Sequence, residues 1–468
     1  MKKLSELYSG YPDILINDIK INSKEVTKND LFVCTKGITK DRNDYIDEAI
    51  NNGVVAIVTN RNIKTSIPVI YVNNPNRELS NLCSKFYDHP ESKLDLIGIT
   101  GTNGKTTVAE IIKDIIGDDC GYLGTNGIIS SKFNEKIRNT TPDADRLFKY
   151  FDMFLKAGCN YISMEASSEA LLHNRLNKVM FKVGIITNIT EDHLNVHKTI
   201  KSYVSCKQKI IKHIKKDGVL ILNTDDKYYY ETRNKANCNI LSYGKKGDLQ
   251  IIDFKEYIDK TKITFKYQNK LYNITTKLLG EFNVYNLCAA ILALISIGFK
   301  INDIIKRLPL IKTPSGRMEV FKNKNHYIIL DYAHTEDAFK KIYSFLNKVK
   351  HGRIITVTGS AGGREHEKRS LMGKIVLDNS DYCIFTMDDP RNEDVNIIID
   401  ELVSGSNKTN YERIIDRHLA IKKAISMAKD NDIILIAGKG DDNYMAIGEE
   451  YLQYSDKEVI KEYLINWI

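Results

Sequence analysis

Residues 98–107 read GITGTNGKTT and carry the parts of a phosphate-binding loop. Glycines at 101 and 104 allow a tight turn whose backbone N–H groups converge on an anion, and the N-terminus of the helix behind it adds positive potential. Lys105 is long enough to reach terminal phosphates, and the hydroxyl of Thr106 or Thr107 is an oxygen donor suited to Mg²⁺. The candidate nucleotide contacts are therefore Gly101, Thr102, Asn103, Gly104, Lys105, Thr106 and Thr107. The run is not the strict G-x-x-x-x-G-K-[ST] form, because Ile99 stands where its first glycine belongs. The shorter Gly101-x-x-Gly104-Lys105-Thr106 remains a phosphate loop in the required context. Alone it says only that a nucleotide binds, since ATPases, kinases and ligases all use such loops.

Such a loop needs a strand before it and a helix after it. Residues 94–100, LDLIGIT, form a largely apolar run that predicts a buried parallel strand. Val108, Ile111, Ile112, Ile115 and Ile116 then recur at helical spacing. Further strands are predicted at 161–164, 183–186 and 219–222, with helical stretches between them, which implies a parallel sheet with helices on its faces. Residues 253–276 alternate differently and predict antiparallel hairpins attached to that sheet. A small α/β module precedes, with strands at 31–34, 54–58 and 69–72 and a helix ending near Phe86-Tyr87, before His89-Pro90. From Pro314 onward, strands at 327–330, 354–357, 382–385 and 433–436 predict a second doubly wound unit. The expected division of this α/β chain is residues 1–88, 89–312 and 313–468. Three domains suit 468 residues at roughly 150 per domain, with a ligand cleft where they meet.

Composition narrows the class. Hydrophobic residues are 42% and charged residues 27%, ordinary for a soluble globular chain. The net charge of +8 fits anionic ligands, although it is spread through mixed runs and a Lys- and Asn-rich composition accounts for it. None of the eight cysteines lies in a CxxC pair, which argues against a zinc site or disulfide framework and for a reducing compartment. The start MKKLSELYSG has no apolar stretch behind its lysines, and no apolar run nears the ~18 residues of a membrane span. A cytoplasmic protein without membrane insertion is expected.

One family matches these residues along nearly the whole chain. TGTNGKTT resembles the ATP-binding signature of the Mur ligases, and further segments resemble the MurE branch in order: TTP at 140–142, MEASSEAL at 164–171, TNITEDHLNVH at 187–197, GEFNVYN at 280–286, SGRM at 315–318, DYAHTEDA at 331–338, KRSLMGK at 368–374, DDPR at 388–391 and AGKG at 437–440. NSKEV at 22–26 followed by DLFV at 30–33 resembles the branch's uridine-binding module. The resemblance implies a small N-terminal UDP-precursor module, a central P-loop ATPase-like domain and a C-terminal Rossmann-like domain. It implies an ATP-dependent ligase of peptidoglycan synthesis, adding a diamino acid to UDP-MurNAc-L-Ala-D-Glu through an acyl phosphate. The expected partners are those two substrates, not nucleic acid, and the expected state is a monomer.

The same resemblance assigns roles residue by residue. Lys105 would hold phosphates, Thr106 and Glu165 one Mg²⁺, and His193 a second metal. Lys207 aligns with a carbamoylated lysine that supports Mg²⁺; spacing alone would make it one solvated lysine among Lys201, Lys209 and Lys212. Asn283 resembles an adenine contact, Arg317 a residue reaching the ATP phosphates, Asp331 a ribose contact, and His334 a further nucleotide neighbour. Ser23, Thr140, Thr141, Ser167 and Arg175 resemble residues that hold the UDP-sugar-peptide. In the last domain Arg364, Asp388, Asp389, Pro390, Arg391, Gly438 and Asp442 match the amino-acid site. Arginines facing a doubly carboxylated substrate favour diaminopimelate over lysine.

Three positions depart from the pattern: Asp389 replaces Asn, Asp442 stands where a glutamate is usual, and Glu169 replaces His. Two other readings compete. Folylpolyglutamate synthetases share the ATP-linked domains, but not the uridine module, TTP or DDPR. A P-loop ATPase acting on nucleic acid would suit the basic balance, but helicase-like companion motifs are missing.

Overall fold

The computed structural model describes residues 1–37, 40–192, 194–363 and 366–465. Its strands form three main sheets. The first is parallel, in the order Ile19–Lys20, Leu31–Val33, Ala56–Thr59, Val69–Tyr71. The helix Pro75–Phe86 follows. It starts where Asn74 Oδ1 accepts from the Arg77 amide at 3.0 Å, with proline at its first position, where no N–H is needed. Its apolar residues Leu79, Leu82, Cys83 and Phe86 join one buried core that runs from Leu4 to Leu222. The first module is thus packed into the central domain.

The central sheet has eleven strands. Seven are parallel, in the spatial order Cys120–Gly124, Tyr161–Glu165, Asp95–Thr100, Phe181–Ile186, Ile214–Asn223, Asn239–Gly244 and Leu249–Glu256. The helix Lys105–Ile116 carries the chain from Asp95–Thr100 past one place to Cys120–Gly124, and Tyr161–Glu165 fills the gap. Glu165 is therefore in register with Ile99, at the edge of the phosphate loop. Ligand sites form where strand order switches in this way. The antiparallel hairpins predicted for 253–276 are the strands Leu249–Glu256, Thr261–Tyr267 and Lys270–Thr276. The strands Cys120–Gly124, Gly127–Ile129 and Asn239–Gly244 had no distinct sequence signal, being short or interrupted by glycine and polar residues.

The last sheet runs Glu319–Asn323, His326–Asp331, Ile433–Ala437, Ile354–Thr358, Tyr382–Phe385, Tyr411–Arg413, parallel except for its first strand. Helices Glu336–Val349, Glu367–Asn379 and Val395–Val403 cover one face, and Arg417–Met427 and Asp456–Ile465 the other. The half-polar edge strands Glu319–Asn323 and Tyr411–Arg413 escaped prediction. None of the eight cysteines is in a disulfide. Among the described residues, no helix is long and apolar enough to cross a membrane.

Candidate active site

The phosphate loop is shaped by two glycines with different constraints. Gly104 has φ +90°, and a Cβ there would sit 2.2 Å from Asn286 Oδ1. A Cβ on Gly101 would sit 1.9 Å from Thr187 Oγ1. The loop is pinned from outside: the Thr102 amide donates to Asn188 O at 2.8 Å, the Asn103 amide to Asn188 Oδ1 at 3.1 Å, and Thr187 Oγ1 to Asn103 O at 2.6 Å. Lys105 folds back on the loop, donating to the carbonyls of Gly101 and Thr102, each at 3.0 Å. Burial lowers its ammonium from the usual lysine range.

Thr106 Oγ1 donates to Glu165 Oε1 at 2.9 Å. Glu165 is fully buried and accepts on the same oxygen from Tyr122 OH at 2.8 Å and the Thr125 amide at 2.9 Å, with Thr125 Oγ1 at 3.3 Å from Oε2. A buried carboxylate beside a P-loop hydroxyl is an all-oxygen donor pair of the kind a hard divalent cation takes. Thr107, the next residue of the helix, is also buried.

Lys207, on the helix Ile200–Gln208, is 1% exposed and also donates to Gly101 O, at 2.7 Å. Burial, with Lys105 nearby, pushes its ammonium well below the usual lysine range. The Tyr203 ring lies 4.5 Å beneath the amine and opposes that trend. A cation–π contact contributes about 0.5–2 kcal/mol, less than the cost of burying a charge, so the downward shift prevails. His193 lies outside the described residues.

The far wall of this cleft, about 440 Å³ in volume, comes from the last domain and the helix Glu281–Ser296. Asn283 is held by its Nδ2, which donates to Leu279 O at 2.7 Å, and Asn286 donates to Asn283 Oδ1 at 2.9 Å. Arg317 stacks 4.4 Å over the Tyr332 ring. Asp331 accepts from the amides of Met318 at 2.7 Å and Ala333 at 2.8 Å, while burial raises its carboxyl above the usual range. His334 lines the same cleft with its Nδ1 2.8 Å from Tyr332 O.

Thr140, Thr141, Ser167 and Arg175 line the side of the cleft nearer the first module. Thr141 Oγ1 donates to Glu165 O at 2.7 Å and accepts from the Ser167 amide at 3.0 Å. Arg175 donates to Thr141 O at 3.0 Å and pairs with Asp143 at 2.8 Å. Arg138, Asn139 and Arg175 line this cleft and also a second cavity of about 600 Å³ against the first module. Ser23 lines that second cavity, where its hydroxyl donates to Glu48 Oε2 at 2.6 Å. The cavity also carries Lys36, Lys40, Arg42 and Arg146, a basic lining suited to an anion.

The candidate amino-acid residues gather at the C-terminal ends of the last sheet. Buried Lys439 donates to Asp389 Oδ1 at 2.8 Å and lies 3.9 Å from Asp442. Asp389 also accepts from the Ala446 amide at 2.9 Å, so its carboxylate is occupied internally. Burial raises the Asp442 carboxyl to about 6. Asp388 is buried, and a Cβ on Gly438 would lie 2.0 Å from its Oδ2. Pro390 is buried, while Arg391 is exposed and adopts φ +52°. Arg364 lies outside the described residues. Tyr332 joins this group to the cleft: a Cβ on Gly440 would meet its side chain at 2.9 Å.

Sequence reasoning passed over Arg138, Asn139, His173, Asn188, Tyr203, Asn286 and Lys341, all of which line one cavity or the other. Only the segments TNIT and FNVYN, already singled out, could have pointed to Asn188 and Asn286.

Three family models match the chain. Residues 15–89 match the Mur ligase family catalytic domain, 99–294 the Mur ligase middle domain, and 316–440 the Mur ligase glutamate ligase domain. The chain is 38% identical to UDP-N-acetylmuramoyl-L-alanyl-D-glutamate–2,6-diaminopimelate ligase 2 of Clostridium acetobutylicum, covering 98% of this chain and 97% of that one. It is 37% identical to the diaminopimelate ligase of Aquifex aeolicus, over 98% and 96%. A solved diaminopimelate ligase superposes with TM-score 0.69 at 26% identity, covering 99% of each chain. A Mycobacterium tuberculosis folylpolyglutamate synthase with ADP and AMPPCP covers 77% of this chain and 92% of that one at 14% identity and TM-score 0.64, a likeness of fold alone. On its whole length and in all three of its parts, the chain belongs to the Mur ligase family.

Proposed function

We propose that the chain is a cytoplasmic ligase that uses ATP to join meso-diaminopimelate to UDP-MurNAc-L-Ala-D-Glu, in the synthesis of peptidoglycan. Relatives with 33–38% identity over nearly the full length carry that activity in their names. The observation that carries the reading is that the two cavities are neighbours, sharing Arg138, Asn139 and Arg175 in their linings. The phosphate loop, Glu165 and Lys207 share one cleft with Thr140, Ser167 and Arg175, and Arg175 also lines the basic cavity against residues 1–88. A nucleotide-linked substrate can lie along that path with its carboxyl end at the loop.

The substrate's glutamyl γ-carboxylate attacks the γ-phosphorus of ATP, the bond to the bridging oxygen breaks, and ADP leaves. The amine of the diamino acid then attacks the acyl carbon, and inorganic phosphate leaves as the amide forms. The first step brings two anions together, so positioned positive charge is its main requirement. Lys105, Arg317 and the loop amides supply part of it. Thr106 and Glu165 would hold Mg²⁺, which when bound shields the phosphates, with His193 as a further ligand. Lys207 suits carbamoylation, since burial penalises its ammonium and so shifts it toward the neutral, nucleophilic amine. In that reaction Nζ bonds to the carbon of CO₂ and releases one proton, giving a carboxylate-like group that supports the metal.

For the incoming amino acid, Arg391 and Arg364 would face the distal carboxylate and Asp442 the distal ammonium. Asp389 is engaged by Lys439, so it neutralises a buried lysine and leaves Asp442 to the substrate. Asn283, Asp331 and His334 would contact the nucleoside of ATP, and Ser23 the uridine diphosphate. The test is purified protein with ATP, Mg²⁺ and UDP-MurNAc-L-Ala-D-Glu, offered diaminopimelate, lysine and ornithine in turn. Tripeptide and ADP should appear together and most rapidly with diaminopimelate. Absence of ADP with every amine would overturn the ligase reading, and a preference for lysine would overturn the specificity.

A further inference from the structure

The amide-forming step needs a proton acceptor that the roles above do not supply. A diamino acid arrives with its amines as ammonium groups, which have no lone pair to attack with. Among the described residues, the cleft holds four carboxylates: Glu165, Glu169, Asp192 and Asp331. Glu165 accepts from Thr106, Tyr122 and Thr125. Asp331 accepts from two backbone amides. Asp192 is engaged as well. Glu169 makes no side-chain hydrogen bond or ion pair among the described residues, although it is half-buried and lines the cleft.

Its position follows from the fold. The strand Tyr161–Glu165 ends at the phosphate loop, and the short helix Ser168–Leu172 starts three residues later. Ser167 Oγ caps that helix by accepting from the Ala170 amide at 3.2 Å. This fixes Glu169 in the first turn, in the same cleft as Lys105 and Lys207 on one side and Thr140, Ser167 and Arg175 on the other. Under the ligase reading, on which this inference rests, the acyl carbon lies between those two groups.

We propose that Glu169 is the general base of amide formation. Its carboxylate takes a proton from the incoming ammonium, freeing the nitrogen lone pair. The nitrogen bonds to the acyl carbon, the carbon–oxygen bond to phosphate breaks, and phosphate leaves with that electron pair. The nitrogen's surplus proton and the proton on Glu169 then pass to water.

Hydroxylamine separates this role from the others, because it is uncharged at neutral pH and attacks an acyl phosphate without a base. Wild-type and Glu169→Gln proteins are compared for tripeptide formed with diaminopimelate and for hydroxamate formed with hydroxylamine. A positioned base contributes about 10²–10⁴-fold, so tripeptide synthesis in Glu169→Gln should fall about 100-fold or more. Hydroxamate synthesis should fall far less, which also shows that the variant is folded and forms the acyl phosphate. Glu169→His, which restores a proton acceptor, should regain tripeptide synthesis. The proposal is overturned if Glu169→Gln makes tripeptide at close to the wild-type rate, or if tripeptide and hydroxamate fall together. A wild-type protein that made neither product would instead refute the ligase reading.

Discussion

Asn103 in the phosphate loop donates through Nδ2 to Asp337 Oδ2, in the last domain, at 2.8 Å. Asp337 is also bound by Lys341 at 2.6 Å, so a charged pair of the last domain clasps the loop itself. A hydrogen bond to a charged group contributes about 1.5–3 kcal/mol when buried, and less at this half-buried place. Asp337→Ala should therefore open the ligand-free protein, raising its radius of gyration in solution scattering and its rate of proteolysis between residues 312 and 317. Unchanged scattering and proteolysis would show that other contacts hold the domains.

Gly104→Ala should abolish tight nucleotide binding. The residue would need φ +90° and its Cβ would strike Asn286 Oδ1 at 2.2 Å. A non-glycine residue in that region costs about 1–3 kcal/mol. Titration with ATP should show at least a tenfold weaker affinity, since about 1.4 kcal/mol is a factor of ten.

The structural role of Glu165 and the Mg²⁺-binding role proposed for it should be separable. Glu165→Ala would leave Tyr122, Thr106 and the Thr125 amide without their buried acceptor, at about 1–3 kcal/mol each. A clear drop in Tm is expected. Glu165→Gln keeps a carbonyl acceptor but loses the charge, so the Mg²⁺ concentration for half-maximal activity should rise about tenfold while Tm changes less.

Lys207→Met should be more stable than the parent yet nearly inactive. The folded state holds the Lys207 ammonium well below its ordinary value of 10.5, so the unfolded chain binds more protons and stability is lost as pH falls below that value. In CO₂-free buffer the substitution should raise Tm, more so at lower pH. A carbamate signal in ¹³C NMR with labelled bicarbonate should be present in the parent and absent from the variant.

Asp442 titrates at about 6, so it is mostly ionised at pH 7.5 and mostly neutral at pH 5. If it binds the distal ammonium, KM for diaminopimelate should rise as pH falls through 6. Asp442→Asn should have a high KM that no longer varies across that range.

The sequence alone determined the phosphate loop, its strand and helix, the three-part organisation and the family. Those features are local: GTNGKTT is contiguous, and the apolar run LDLIGIT and the helical spacing of Val108 to Ile116 need no knowledge of distant residues. The tertiary structure decided what surrounds the loop. Glu165 meets Thr106 because Tyr161–Glu165 is inserted beside Asp95–Thr100, a matter of strand order that no local pattern encodes. By spacing alone Lys207 was one solvated lysine among several; the family resemblance singled it out, and folding its helix over Gly101 shows it to be buried. Asp389 was a bare departure from the usual Asn until Lys439, fifty residues on, proved to occupy it. Burial and pairing depend on which surfaces meet, and those surfaces come from segments far apart in the chain.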